Sequence, residues 1–217
     1  MNTAIFQNAR TDVYSFLASI FLQEPNEQTL HKQLRLLQIE LKYPLADRTM
    51  MEKIKQEFFD CFFVPVSASY TPPYESALLN YDEKRQFGYL TGPATQEVLA
   101  FYQGVQFDPL ELSVFEPLKE VSLPDHVGFE LAYMAYLCQQ EDAAQKRGAA
   151  SAATMWAVWQ KEFLSQHLAR WLPKLAKALA DRQAEFYATA AEFAASWVNA
   201  DLGELSEVFE KECSHGQ

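Results

Sequence analysis

Apolar side chains recur every three or four residues along most of this chain of 217 residues, and this spacing constrains its fold most strongly. It places the apolar side chains on one face of an α-helix. No stretch alternates apolar and polar residues long enough to predict a strand, and no Asn-Gly or Asp-Gly hairpin turn occurs. The sequence therefore predicts an all-α helical bundle of roughly nine or ten helices.

Prolines, glycines and capping residues indicate where these helices begin and end. The predicted helices cover about 3–23, a segment carrying Leu30, Leu34, Leu37 and Leu41, about 48–63, 93–104, 122–141, about 149–171, and about 182–198 with an extension to about 210. We expect Thr71 to cap one further helix, with Pro72 in its first turn. Pro173 is expected to kink a helix or to start a new one.

The formal net charge is −11, and such a chain repels nucleic acid and anionic membrane surfaces. Residues 181–217 hold eight acids and two bases, a net charge of −6, which is typical of a solvated helix face. No run of 18 apolar residues is present, so membrane insertion is not expected. The charge favours a basic partner.

The cysteines and histidines give no sign of a metal or disulfide framework. Cys61, Cys138 and Cys213 are odd in number and form no CxxC pair, and the first two lie in apolar runs that predict core positions. No two histidines lie three or four residues apart, and no phosphate-binding glycine loop occurs. We therefore predict no metal, no cofactor and no enzymatic activity. Reduced thiols and the lack of a signal peptide pattern favour the cytoplasm.

The proline-rich stretch YTPPYES at 70–76 has two interpretations. In the first it is a stiff loop whose Glu75 and Ser76 serve the first turn of the next helix. In the second it is a rigid exposed loop that offers aromatic side chains and one acid to a peptide.

The stretch SLPDHVGFEL at 122–131 also has two interpretations. Ser122 can cap a helix with Asp125 at its third position, which leaves His126 without a role. Alternatively, Asp125, His126 and Glu130 form an acidic, titratable patch at the helix start, because Glu130 follows His126 by one turn. Such a patch suits a cationic ligand. In a third stretch, FLSQHLARWLP at 163–173, the spacing predicts a packing face with an interfacial His167.

Five motifs follow one another in a fixed order. They are FVP with PPYES at 63–76, GxLxG at 88–92, a helix ending in Tyr102 and Gly104, PDHVxxEL at 124–131, and FxxxHLxxW at 163–171. In this order they resemble the TorD/DmsD family of cytoplasmic molybdoenzyme chaperones. The resemblance extends from about Phe6 to Trp197. It implies one TorD-like domain in two helical halves, about 1–104 and 124–217, joined by a hinge at about 105–123.

The resemblance also implies a function. Such chaperones bind the twin-arginine signal peptide and the apo form of an exported molybdenum-cofactor oxidoreductase, and hold it until the cofactor is inserted. Arginines require carboxylates and the apolar part of the peptide requires a groove. The predicted peptide-binding residues are Tyr74, Glu75, Ser76, Leu78, Tyr89, Asp125, His126, Phe129 and Glu130. His126 either keeps its proton near neutral pH or donates a hydrogen bond to a peptide carbonyl.

Two alternatives remain from the sequence. One is a NarJ-like assembly chaperone, which serves a catalytic subunit that is not exported. The other is a small helical enzyme that uses Asp125 and His126 as an acid–base pair. We expect a monomer for the most part, although the hinge would permit two protomers to exchange halves.

Overall fold

The computed structural model describes residues 3–27, 48–81, 84, 86–121 and 123–215, with side chains described between residues 10 and 210. The α-helices in this part of the chain are α1 (Thr3–Leu22), α2 (Arg48–Phe62), α3 (Glu75–Leu78), α4 (Pro93–Gly104), α5 (Glu116–Val121), α6 (Val127–Lys146), α7 (Ala150–Gln166), α8 (Leu168–Asp181) and α9 (Phe186–His215). The described residues form no strand, which confirms the all-α prediction. None of their helices is long and apolar enough to cross a membrane.

The core lies between α1, α6 and the α8–α9 pair. Helix α1 packs along α6, α6 along α7, and α8 along α9. Tyr14, Met134 and Trp171 are fully buried where these helices meet. Burial of several such side chains stabilises the fold, since each contributes about 1.5–3 kcal/mol. The predicted core positions Cys61 and Cys138 are buried free thiols.

A group of aromatic rings joins the N-terminal helices to α9. The Tyr187 ring lies 4.9 Å from Phe62, 5.9 Å from Phe58 and 6.1 Å from Phe21 between centroids. Tilted and edge-to-face contacts of this kind add about 0.5–1.5 kcal/mol per pair beyond the buried area. This aromatic cluster therefore links helices α1, α2 and α9.

A buried polar network ties α1 to α6, α7 and α9. The Arg10 Nε and Nη2 donate to the two carboxylate oxygens of Asp201 at 2.7 and 3.0 Å. Its Nη1 lies 3.2 Å from Glu141 Oε2, and Nη2 also donates to Gln160. Tyr14 completes the network by donating to Asp201 at 2.7 Å. A buried arginine requires such partners because an unpaired charge is expensive in the interior.

Several predicted boundaries are confirmed. Helices α1 and α2 each end one residue before the predicted end, and α4 runs from Pro93 to Gly104 with Gly92 as its N-cap. Gly148 ends α6 with a φ of +71°, which is the left-handed conformation that glycine adopts without strain. The predicted helix with Leu30, Leu34, Leu37 and Leu41 lies outside the described residues.

Other boundaries were predicted wrongly. Thr71 does not cap a helix, because its N–H donates to Cys61 O and its hydroxyl to Ser69 O. The break after α7 falls at His167 and not at Pro173, which lies inside α8. Helix α9 is longer than predicted and reaches His215.

The segment 105–123 is not wholly irregular. It contains a 3-10 turn at Pro109–Glu111 and the short helix α5. Because α1 packs along α6, the two predicted halves share one interface in this arrangement. The division into halves and the hinge between them stay predictions.

Candidate functional site

Two segments distant in sequence meet in a short antiparallel bridge between Tyr74 and His126. The Glu75 N–H donates to Asp125 O at 2.9 Å, and the Val127 N–H donates to Pro73 O at 2.9 Å. These bonds hold the chain extended up to Tyr74, which is why α3 begins at Glu75 and not at the expected Thr71. The bridge brings the motif at 72–76 against the motif at 124–131.

Asp125 caps a helix, but not its own. Its Oδ2 accepts a hydrogen bond of 2.9 Å from the backbone N–H of Ser76, in the first turn of α3. The prediction that Asp125 occupies the third position of a helix capped by Ser122 is wrong, because α6 begins two residues later at Val127. Asp125 thus stabilises α3 across the bridge by satisfying an N–H that has no partner within the helix.

His126 is the N-cap of α6. Its Nδ1 accepts a hydrogen bond of 3.1 Å from the Gly128 N–H, so in the neutral ring the proton lies on Nε2. Burial lowers the pKa of His126 to about 3, and the ring is neutral near pH 7. The interpretation that leaves His126 without a role and the prediction that it keeps its proton near neutral pH are both wrong.

Two buried glutamates lie beneath the bridge. Glu75 Oε2 is 2.7 Å from His167 Nδ1, and Glu130 Oε2 accepts a hydrogen bond of 3.0 Å from Trp171 Nε1. Both carboxyl groups are fully buried. These bonds join α3 and α6 to the junction of α7 and α8.

The two glutamates lie in the same buried environment. Burial, followed by the charge of Glu75, raises the pKa of Glu130 well above its usual value, and the charge of Asp125 acts in the same direction, whereas the hydrogen bond from Trp171 opposes it. One oxygen each of Glu75, Asp125 and Glu130 has no hydrogen-bond partner among the described residues.

A surface cleft of about 540 Å³ lies beside α3. It is lined by Ser76, Leu79, Asn80, Tyr89, Thr91, Gly92, Pro93, Ala94, Glu97, Arg170 and Lys174. Tyr89 is 89% exposed, which is unusual for so large an aromatic side chain. The cleft therefore offers an exposed aromatic side chain next to the predicted motifs.

Ser76 connects the buried acids to this cleft. Its N–H is held by Asp125, while its hydroxyl lies 3.0 Å from that of Thr95. Thr95 in turn accepts a hydrogen bond of 3.2 Å from the Gly92 N–H at the start of α4. Ser76 therefore joins α3 to the start of α4 at the cleft wall.

The predicted peptide-binding residues fall into two groups. Tyr74, Glu75, Ser76, Leu78, Asp125, His126, Phe129 and Glu130 are buried, whereas Tyr89 is exposed. The bridge and the glutamate pair bring most of the first group together, and Leu78 and Phe129 belong to the hydrophobic core. Only Ser76 and Tyr89 of the nine line the cleft. Direct peptide contact by the buried residues stays a prediction.

The structure also bears on the acid–base pair and on a metal site. The acid–base pair is not formed, because Asp125 and His126 each accept a hydrogen bond from a backbone N–H. In the part of the chain with described side chains, no three His, Cys, Asp or Glu residues are placed to hold a metal ion.

Sequence reasoning missed His167 and Trp171 as partners of the buried acids. A signal existed, since the two residues lie four positions apart and hence on one helix face. It also missed Arg170 and Lys174, whose basic side chains line the cleft. Nothing in the local sequence indicates that they face residues of α3 and α4.

Comparison with known proteins finds one matching family model and several relatives that are named as chaperones. The family model described as nitrate reductase delta subunit matches residues 19–177. The chaperone protein TorD of Vibrio cholerae serotype O1 is 26% identical over 95% of this chain and 96% of that protein. The selenate reductase assembly chaperone protein of Thauera selenatis is 39% identical over 39% of each chain. The chlorate reductase assembly chaperone protein of Ideonella dechloratans is 33% identical over 56% of this chain and 55% of that protein. No solved structure matches significantly.

Proposed function

This chain belongs to the nitrate reductase delta subunit family, that of the TorD-type chaperones, and on this premise we propose that it is a cytoplasmic chaperone for a molybdenum-cofactor oxidoreductase. It acts as a chaperone and not as an enzyme. In the proposed role it binds the twin-arginine signal peptide and the apo form of the catalytic subunit. It holds this client until the cofactor is inserted and export can proceed.

The observation that carries the proposal is the cleft beside the YTPPYES and PDHV motifs. We place the signal peptide in this cleft, where Tyr89 is exposed and Ser76 lies in the wall. An exposed tyrosine is a frequent anchor of protein interfaces, because it supplies a large contact area at low cost in entropy. The buried residues Glu75, Asp125 and Glu130 then act indirectly, by holding α3 in place behind the cleft.

Calorimetric titration with a synthetic twin-arginine signal peptide tests the proposal. A version with both arginines replaced by glutamine should bind at least about tenfold more weakly, since the chain has a net charge of −11. Binding of the arginine version should also weaken as salt increases. Absence of binding by any such peptide contradicts the proposed function.

A variant at the surface tests where the peptide binds without disturbing the core. Tyr89→Ser should weaken binding by about tenfold, whereas Leu110→Ser, at an exposed position outside the cleft, should leave it unchanged. Equal affinities of the two variants argue against the cleft. Charge reversal at the buried Glu75 and Asp125 is unsuitable here, because it destabilises the fold itself.

A second candidate is an assembly chaperone for a catalytic subunit that is not exported. It is favoured by the description of the matching family model and by the assembly role in two relatives' names. In that case peptides with arginine and with glutamine should bind equally well, and the N-terminal segment of the client need not carry paired arginines. The glutamine version of the titration therefore separates the two candidates.

We further propose that the protein is mostly monomeric, with exchange of halves through the 105–123 segment as the route to a dimer. Size-exclusion chromatography with light scattering over a range of concentrations tests this. A dimer as the main species at micromolar concentration contradicts it.

A further inference from the structure

Two basic side chains line the cleft that we assign to the client peptide. Arg170 and Lys174 lie one helical turn apart on α8 and reach the same wall. Arg170 donates to Gln166 O at 3.0 Å, and Lys174 donates to Leu79 O. Neither forms an ion pair with a described carboxylate, so both charges stay uncompensated within the described part of the chain.

Both bases keep unused donors. A guanidinium has five N–H groups and an ammonium three, whereas each side chain uses one here. They therefore serve as helix-end caps and still present donors to a ligand. Glu97 is the acid among the lining residues, which leaves two positive charges and one negative charge around the cleft.

This local balance is opposite to that of the whole chain, which carries a net charge of −11. A cleft with excess positive charge does not favour an arginine pair, because like charges repel at short range. The other lining side chains are apolar or neutral, with Tyr89, Leu79 and Pro93 providing apolar surface.

We propose that the cleft binds a client segment that carries a carboxylate next to an apolar or aromatic side chain, and not the paired arginines. The carboxylate pairs with Arg170 and Lys174, and the apolar side chain packs against Tyr89. The arginines of the same peptide then lie outside the cleft, on the acidic remainder of the surface. This inference rests on the proposed function and names the part of the peptide that the cleft recognises.

Two synthetic decapeptides test the inference. Both carry the same Leu-Phe-Leu core with blocked ends, and the core is flanked by two aspartates in one and two arginines in the other. Fluorescence anisotropy at low salt should give tighter binding of the aspartate peptide by about tenfold, since two exposed ion pairs each contribute a few-fold. The net charge of the chain alone predicts the reverse order.

Variants test whether the preference for the aspartate peptide depends on the cleft. The double variant Arg170→Gln with Lys174→Gln should lose most of the preference for the aspartate peptide. The control double variant Lys53→Gln with Arg147→Gln changes the net charge equally at exposed sites outside the cleft and should keep the preference. Glu97→Gln should act in the opposite direction and strengthen binding of the aspartate peptide. Circular dichroism melting checks that every variant is folded, and the single variants R170Q and K174Q replace the double variant if it is not.

The inference is overturned if the arginine peptide binds more tightly to the unmodified protein, if the cleft variants keep the preference, or if neither peptide binds. Its failure is distinct from failure of the proposed function. Binding of the twin-arginine signal peptide with the same affinity by the R170Q/K174Q variant and by the unmodified protein supports the chaperone role while it excludes this recognition mode.

Discussion

At the scale of single residues, the histidine of the PDHV motif has a structural role. His126 caps α6 through Nδ1 and lies between the Tyr74 and Phe129 rings, at centroid distances of 5.4 and 5.5 Å. The cap requires the neutral ring, because protonated Nδ1 no longer accepts a hydrogen bond from the Gly128 N–H. Burial of the ring therefore links the stability of the fold to pH.

This linkage has a definite sign. The folded-state pKa of about 3 lies below the ordinary value of 6.5, so the unfolded chain binds more protons in between. Stability falls as pH decreases through this range, by about 1.4 kcal/mol per unit.

The variant His126→Asn tests this sign, because asparagine caps a helix without titrating. Between pH 6.5 and 5, the wild type should lose about 2 kcal/mol of unfolding free energy relative to the variant. Urea unfolding at several pH values measures this difference. Parallel pH dependences of the two proteins would contradict the assignment of the neutral ring.

At the scale of helices, a glycine sets the distance between α1 and the start of α6. A Cβ atom at Gly128 would lie 2.4 Å from Leu22 Cγ and 2.6 Å from its Cδ2. Leu22 is buried. The approach of α1 to the N-terminus of α6, and with it the position of the His126 cap, depends on the missing side chain.

The substitution Gly128→Ala should destabilise the protein by about 1–3 kcal/mol through overpacking. Gly203→Ala is the matched control, since nothing lies within 4 Å of its added Cβ and α9 should gain up to about 1 kcal/mol. Because Leu22→Ala removes the clashing atoms, the loss in the double variant with Gly128→Ala should be smaller than the sum of the two single losses. Chemical denaturation measures these variants, and equal stability of the two glycine-to-alanine variants would show that the close contact does not constrain the helices.

At the scale of the whole molecule, Arg10 joins the first helix to the last. Asp201 on α9 and Glu141 on α6 both contact it, 191 and 131 residues away in sequence. The network lies across the interface of the two predicted halves. It therefore opposes any motion that separates α1 from the C-terminal helices.

Arg10→Gln should cost about 3–5 kcal/mol, because it leaves Asp201 and Glu141 buried without their positive partner. Adding Asp201→Asn to that variant should recover part of the loss. The exposed Arg147→Gln serves as a control and should change stability by less than about 0.5 kcal/mol. If urea unfolding places R10Q within about 1 kcal/mol of the wild type, the network does not hold the halves together.

Local sequence patterns predicted much of the fold. The apolar spacing of α1, the Gly92 cap with Pro93 in the first turn of α4, and Gly148 after α6 all act within a few residues. Such signals do not depend on the rest of the chain. The sequence did not indicate that the motifs at 72–76 and 124–131 meet in a backbone bridge, or that most of their residues are buried.

The all-α class and the family resemblance were thus determined by the sequence itself, since helix periodicity and motif order are properties of contiguous residues. Only the tertiary structure decided that Asp125 caps α3, that His126 caps α6, and that Glu75 and Glu130 share a buried environment. The reason is physical: the Ser76 N–H that Asp125 caps lies 49 residues away in the chain, and the burial of His126 and of the two glutamates depends on how distant segments pack, which no local pattern specifies.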